Sequence, residues 1–141
     1  MSAAAATATA AVFVWLGMVL AISFVEAPLK FRAPGVTIRI GLGIGRLVFR
    51  ALNTAEVVFA AILVIAAAAG APPARVIAAG AVAVAVLLLQ LAAVRPRLNR
   101  RSDLVLAGED APRSRAHYAY VGLELVKVIA LMVTGILLLS Q

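Results

Sequence analysis

Four long apolar runs dominate this chain and restrict the folds open to it. They cover approximately residues 8–27, 47–69, 76–94 and 118–139 of the 141 residues. Each approaches or reaches the roughly 20 residues that an α-helix needs to cross the hydrocarbon core of a bilayer. Hydrophobic residues make up 65% of the sequence, whereas soluble domains are nearer to half apolar. We therefore predict an all-α fold: an integral membrane four-helix bundle that forms one domain over residues 1–141.

The basic residues are distributed unevenly between the connections. Eleven of the thirteen Lys and Arg residues lie in the first and third connections, whereas the second carries only Arg75. Connections rich in Lys and Arg stay in the cytoplasm. We therefore predict that the N and C termini lie outside and that loops 1 and 3 are cytoplasmic. Anionic lipid headgroups of the bilayer are the expected partners of Lys30, Arg32, Arg39, Arg50, Arg95, Arg97, Arg100 and Arg101.

Composition narrows the remaining classes of function. The formal charge is +7, but the basic residues lie between apolar runs, which favours a membrane surface over nucleic acid. The chain has no Cys and one His, so neither a disulfide nor a multi-histidine metal site is expected. The bias towards Ala, Val and Arg is typical of GC-rich bacteria, and the predicted location is a bacterial cell membrane. A homo-oligomer or a membrane partner protein stays open.

The end of the first apolar run carries an acid, a proline and two cations. Glu26 is expected to pair with Lys30 or Arg32, which follow it closely. Pro28 lacks an N–H and disfavours helical geometry in the preceding residue. We therefore expect the first helix to end near Ala27.

Two stretches between the apolar runs are harder to assign. Residues 36–46 contain Gly41 and Gly45, a spacing typical of closely packed helices. The stretch either extends the second helix back to about residue 36 or forms a separate interfacial helix. Residues 95–116 are predicted to be a polar connection with a turn near Gly108.

Polar side chains inside the apolar runs are costly in a membrane, and each is a candidate functional residue. Counted from the outer end of each helix, they fall in one band in the cytoplasmic half, whereas the outer half is almost wholly apolar. We expect Glu56, Glu124 and Lys127 to lie close together. A buried cluster that only fixes helix register is the competing interpretation. The candidates for a ligand or ion pocket are Glu26, Arg46, Asn53, Glu56, Gln90, His117, Tyr120, Glu124 and Lys127.

Three stretches of the chain are distinctive: FVEAPLKFRA, GRLVFRALNTAE and RPRLNRR, and a histidine lies at the start of the last apolar run. They resemble the small four-helix membrane proteins that include transmembrane protein 205. A more distant similarity is to the copper-resistance D membrane domain. The resemblance implies a link to metal or drug resistance, which some members have. The matching positions are Gly45, Arg46, Asn53, Glu56 and His117.

These observations favour a non-catalytic accessory or small-ligand-binding membrane protein with a polar pocket facing the cytoplasm. An enzyme is not expected, because no nucleophile–base pair or metal triad is recognisable. The alternative is a small proton-coupled transporter, or a metal- or drug-resistance protein, that uses Glu56. A further alternative is a haem- or quinone-binding subunit, with His117 as the ligand of haem b; otherwise no cofactor is expected. The apolar outer half argues against a water-filled pore.

Overall fold

The computed structural model describes every residue from Met1 to Gln141. It contains four long helices and no strand: α1 (Ala3–Arg32), α2 (Ile38–Gly70), α3 (Ala74–Leu106) and α4 (Arg115–Leu139). All four are long and apolar enough to cross a membrane. The predicted all-α four-helix fold is confirmed, and these helices indicate a membrane protein.

The bundle has two different ends. At the charged end, the first and third connections lie together around a pocket. At the apolar end, the second connection lies beside both chain termini. α1 packs against α2 and α4, and α3 packs against α4, around a core that includes Trp15, Leu63, Leu87 and Leu131. α2 and α3 contact each other mainly at the charged end, and a crevice of 410 Å³ separates them at the apolar end.

α1 does not end near Ala27, as Pro28 led us to predict, but continues through the proline to Arg32. The turn before the proline, Leu20–Glu26, is π-helical, and the Ala27 N–H donates to the Ile22 carbonyl five residues back. Such a turn carries one extra residue. The extra residue shifts the carbonyl of the residue four positions before the proline, with which the proline ring would otherwise clash. The wide turn therefore keeps Pro28 inside a continuous helix.

α3 repeats this arrangement. Its π-helical turn, Gln90–Val94, also ends two residues before a proline, Pro96, and the Arg95 N–H donates to the Gln90 carbonyl. The helix then continues to Leu106. The polar stretch that we expected to be a connection from Arg95 onwards is thus helical over its first half. The chain turns at Gly108, which has φ +90°, in agreement with the predicted turn.

α2 is a single helix from Ile38 onwards, so residues 38–46 extend it and do not form a separate interfacial helix. The Thr37 hydroxyl caps its start by accepting from the Ile40 N–H at 3.2 Å. Gly41 and Gly45 are buried against α1: a Cβ at Gly41 would overlap the Phe31 ring, and one at Gly45 would lie 3.0 Å from the Lys30 Nζ. The predicted close packing at these glycines is confirmed.

Candidate functional site

Lys127 lies at the centre of a buried polar cluster to which all four helices contribute. Its side chain has no exposed surface and forms ion pairs with Glu56 and with Glu124, the latter at 2.6 Å from Oε1. Its ammonium also donates to Gln90 Oε1 at 2.8 Å. An ammonium has three protons, and each has an acceptor here. The prediction that Glu56, Glu124 and Lys127 come together is confirmed. The buried polar cluster comprises Trp15, Ser23, Asn53, Glu56, Gln90, Glu124 and Lys127.

Glu56 is the deep carboxylate of this cluster. Its Oε1 accepts from the Asn53 amide at 3.1 Å, one helical turn earlier, and its Oε2 accepts from the Trp15 indole N–H at 2.8 Å. Oε2 also pairs with the Lys127 ammonium. Indole and ammonium nitrogens can only donate, so their two contacts hold Glu56 as an acceptor.

Glu124 connects the cluster to the charged end. Its Oε2 lies 2.7 Å from the Ser23 hydroxyl on α1, and its Oε1 accepts from Lys127 and, at 3.4 Å, from the Gln90 amide. Ser23 comes from the π-helical turn of α1, and Gln90 begins the one in α3. Of the seven cluster members, Ser23 and Glu124 also line the pocket at the charged end.

That pocket has a volume of 520 Å³ and receives residues from all four helices and from the segment before α4. We call it the cationic pocket. Glu124 is the one acidic residue in its lining. Its basic lining residues are Lys30, Arg46, Arg95, Arg101 and Arg113.

Arg95 is held in the pocket by two aromatic rings. Its guanidinium carbon lies 4.9 Å from the Phe49 ring centre and 4.5 Å from that of Tyr120. Stacking of this kind stabilises a cation without using its hydrogen-bond donors. The Arg95 Nε and Nη2 atoms are buried without a hydrogen-bond partner. Buried polar atoms are rarely unpaired, so these two atoms mark a place where a polar ligand fits.

The other pocket cations differ in how far they are neutralised. Lys30 lies 3.5 Å from Glu26, which confirms the pair predicted at the end of the first apolar run. Arg46 forms an ion pair with Asp103 on α3. Arg101 donates from Nε to the Ala111 carbonyl at 3.1 Å and has no acidic partner; Arg113 and Arg95 also have none. The cationic pocket therefore keeps an excess of positive charge.

The basic residues that the sequence assigns to lipid headgroups fall into two groups. Lys30, Arg95 and Arg101 line the cationic pocket. The positive-inside rule locates the end of the bundle at which they lie, but it does not show which way each side chain points. The remaining five are exposed on the surface of the charged end: Arg32, Arg39, Arg50, Arg97 and Arg100.

His117 lines the cationic pocket and lies outside the buried polar cluster. Its ring packs edge-on against Tyr118, with ring centres 5.6 Å apart. The pocket lining contains no second His and no Met. No group of three or more His, Cys, Asp and Glu side chains is placed to hold a metal ion. The pocket therefore does not provide a His–His or His–Met pair of ligands for a haem iron.

The five positions on which the resemblance rests divide between the two polar sites. Gly45, Arg46 and His117 line the cationic pocket, whereas Asn53 and Glu56 belong to the buried polar cluster. A search of protein families, of curated proteins and of solved structures finds no match to this chain.

Proposed function

We propose that this protein is a non-catalytic membrane protein that binds a small anionic ligand in the cationic pocket. The observation that carries the proposal is the pair of buried, unpartnered atoms on the Arg95 guanidinium, Nε and Nη2. Arg101 and Arg113 line the same pocket without an acidic partner. An anion with several oxygens would satisfy both the unpaired donors and the excess charge.

The geometry of Arg95 narrows the chemistry of the ligand. Nε and Nη2 lie on the same edge of the guanidinium, and that edge matches two oxygens of a carboxylate or phosphate group. The 520 Å³ volume falls within the range of pockets that hold small molecules. A carboxylate or phosphate ester fits this pocket, and the phosphate could belong to a soluble compound or to a lipid headgroup.

The proposed orientation places the cationic pocket at the cytoplasmic face of a bacterial cell membrane. Both Arg-rich connections belong to the same end of the bundle, and Arg-rich connections stay in the cytoplasm. Both termini would then lie outside, beside the apolar end. A ligand would enter the pocket from the cytoplasm.

Transport coupled to Glu56 is the alternative function. Glu56 is fully buried, receives donors from Trp15 and Asn53, and is separated from the pocket by Lys127 and Glu124. Those contacts favour a role in holding the bundle together. A haem- or quinone-binding subunit is less favoured than an anion-binding protein, because His117 is the one imidazole in a lining that is otherwise strongly basic.

Titration of the protein in nanodiscs of phosphatidylcholine with a benzenedisulfonate dianion tests this proposal. Arg95→Gln should weaken binding by about tenfold or more, the effect of losing about 1.4 kcal/mol of charge-assisted hydrogen bonding. Arg97→Gln is the matched control, because Arg97 is exposed on the same helix outside the pocket and loses the same charge. Absence of saturable binding, or equal effects of the two variants, would overturn the proposal.

A second arm distinguishes the source of the ligand. The titration is repeated in nanodiscs that contain phosphatidylglycerol, whose headgroup carries one phosphate. If a lipid headgroup is the natural occupant, the anionic lipid should compete and weaken benzenedisulfonate binding to the wild type far more than to Arg95→Gln. If the natural ligand is soluble, the anionic lipid should change benzenedisulfonate binding to the wild type and to Arg95→Gln by the same factor.

A further inference from the structure

The buried polar cluster contains two carboxylates and one ammonium, Glu56, Glu124 and Lys127, so it carries one excess negative charge when all three are ionised. All three side chains have 1% exposure or less. An uncompensated charge in a low-dielectric interior is costly. The nearest compensation is the positive charge of the cationic pocket, which Glu124 lines. An anion bound in that pocket would compete with Glu124 for this positive charge.

The two carboxylates are not equally able to accept a proton. The Oε2 of Glu56 contacts Trp15 and Lys127, which only donate. The Oε2 of Glu124 contacts only the Ser23 hydroxyl, at 2.7 Å, and a hydroxyl can either donate or accept. A proton on Glu124 Oε2 would thus be donated to Ser23 after a rotation of the hydroxyl, with every other contact of the cluster kept.

We propose that binding of an anion in the cationic pocket is coupled to the uptake of a proton by Glu124. This inference rests on the proposed anion-binding function. The bound anion neutralises the positive charge of the pocket that otherwise compensates Glu124. The neutral carboxylic acid then becomes the favoured form of Glu124. One O–H bond forms on Glu124 Oε2 while one O–H bond of a hydronium ion breaks, and that ion reaches the carboxylate through the pocket, which opens at the charged end. Ligand and proton bind together.

The other titratable groups around Glu124 offer one main competitor for this proton. The Lys and Arg side chains in the pocket already carry their protons, and Tyr120 is neutral with its hydroxyl protonated. Glu26 on α1 and Asp103 on α3 are each held in an ion pair, with Lys30 and with Arg46. His117 remains, because it lines the same pocket and an imidazole ordinarily titrates near neutral pH.

Isothermal titration with the benzenedisulfonate dianion, in buffers of different ionisation enthalpy, measures the number of protons taken up per ligand bound. This anion keeps its charge across the working pH range, so the protons go to the protein. The wild type should take up about one proton per ligand, and its affinity should rise by up to about tenfold for each unit of falling pH. Glu124→Gln should abolish the uptake, whereas His117→Asn should keep it. The proton number is counted per ligand bound, so it can be compared between variants whose affinities differ.

Each outcome decides between the proposals. Binding without proton uptake in the wild type overturns the coupling and leaves the anion-binding function standing. Uptake that disappears in His117→Asn and persists in Glu124→Gln assigns the proton to the imidazole and also overturns it. Absence of binding removes the proposed function and this inference with it. If Glu124→Gln does not fold, Ser23→Ala takes its place. This substitution removes the acceptor of the new proton and should lower the proton uptake, and undiminished uptake would contradict the assignment.

Discussion

Glu56 and Lys127 form a fully buried ion pair between α2 and α4, two helices that lie diagonally across the bundle and otherwise hardly approach each other. The pair therefore passes through the middle of the four helices. Trp15 on α1 and Gln90 on α3 bind its two ends. One ion pair thus connects all four spans at a single depth.

Lys127→Met should destabilise the bundle more than Glu56→Gln. Loss of the ammonium leaves two buried carboxylates without a cation, and breaking a buried pair in this way costs about 3–5 kcal/mol in soluble proteins, whereas loss of the Glu56 charge leaves Lys127 paired with Glu124. In unfolding from mild detergent, the double variant should show a coupling free energy of about 1–3 kcal/mol. Additive effects of the two substitutions would mean that the contact contributes nothing of its own.

Two glycines on α4 should respond differently to the same substitution. A Cβ at Gly135 would lie 2.6 Å from the Phe13 ring of α1, whereas one at Gly122 would meet no atom within 4 Å. Gly135→Ala should therefore destabilise the bundle by about 1–3 kcal/mol through overpacking, and Gly122→Ala should be neutral or slightly stabilising. Thermal unfolding of both variants in the same detergent measures the difference. Equal midpoints would show that Phe13 moves aside at no cost.

Reporter fusions test the proposed orientation. A fusion after Gln141 should be active as an extracytoplasmic reporter, and an insertion at Gly108 should be active as a cytoplasmic one, because Gly108 lies in the loop between the basic helices. Gly108 is a suitable insertion site since it is exposed and lies in a turn with φ +90°. The same location for both reporters would refute the orientation.

The purified protein should conduct no steady ionic current in a planar bilayer. The crevice at the apolar end is lined mainly by Ala, Val and Leu, and the one Thr in it, Thr134, donates its hydroxyl to the Ala130 carbonyl at 2.6 Å. A bare ion would find no ligands there, at a cost of many kcal/mol. Gradient-driven flux that Glu56→Gln abolishes would instead establish the transport alternative.

Depth along the apolar runs was sufficient to predict the contact between Glu56 and Lys127. A helix rises by a fixed distance per residue, so residues counted from the same side of a membrane reach the same level. A buried charge at that level needs an opposite charge, and only a few are present. The close packing of Gly41 and Gly45 against α1 is predictable in the same way, from a spacing that brings two small residues onto one helix face.

Other parts of the site could not be predicted from composition. Trp15 lies in an apolar run, so the hydropathy pattern does not distinguish it from its apolar neighbours, although its indole N–H needs an acceptor wherever it is buried. The inward direction of the Arg95 side chain is not predictable from the rules for basic residues, which describe connections and not side-chain direction. Its inward position depends on the stacking of its guanidinium with Phe49 and Tyr120, residues from two other helices.

The π-helical turns before Pro28 and Pro96 set the rotational phase of α1 and α3. Each wide turn adds one residue to its helix, and one residue corresponds to about 100° of rotation. Deletion of one residue within Gln90–Val94 would leave the four spans, their hydropathy and their charge almost unchanged. It would nevertheless turn Arg95 and the rest of α3 away from the pocket while Gln90 stayed in the buried cluster. The spacing between Gln90 and Arg95 is therefore a separate requirement on the sequence, one that a hydropathy profile does not record.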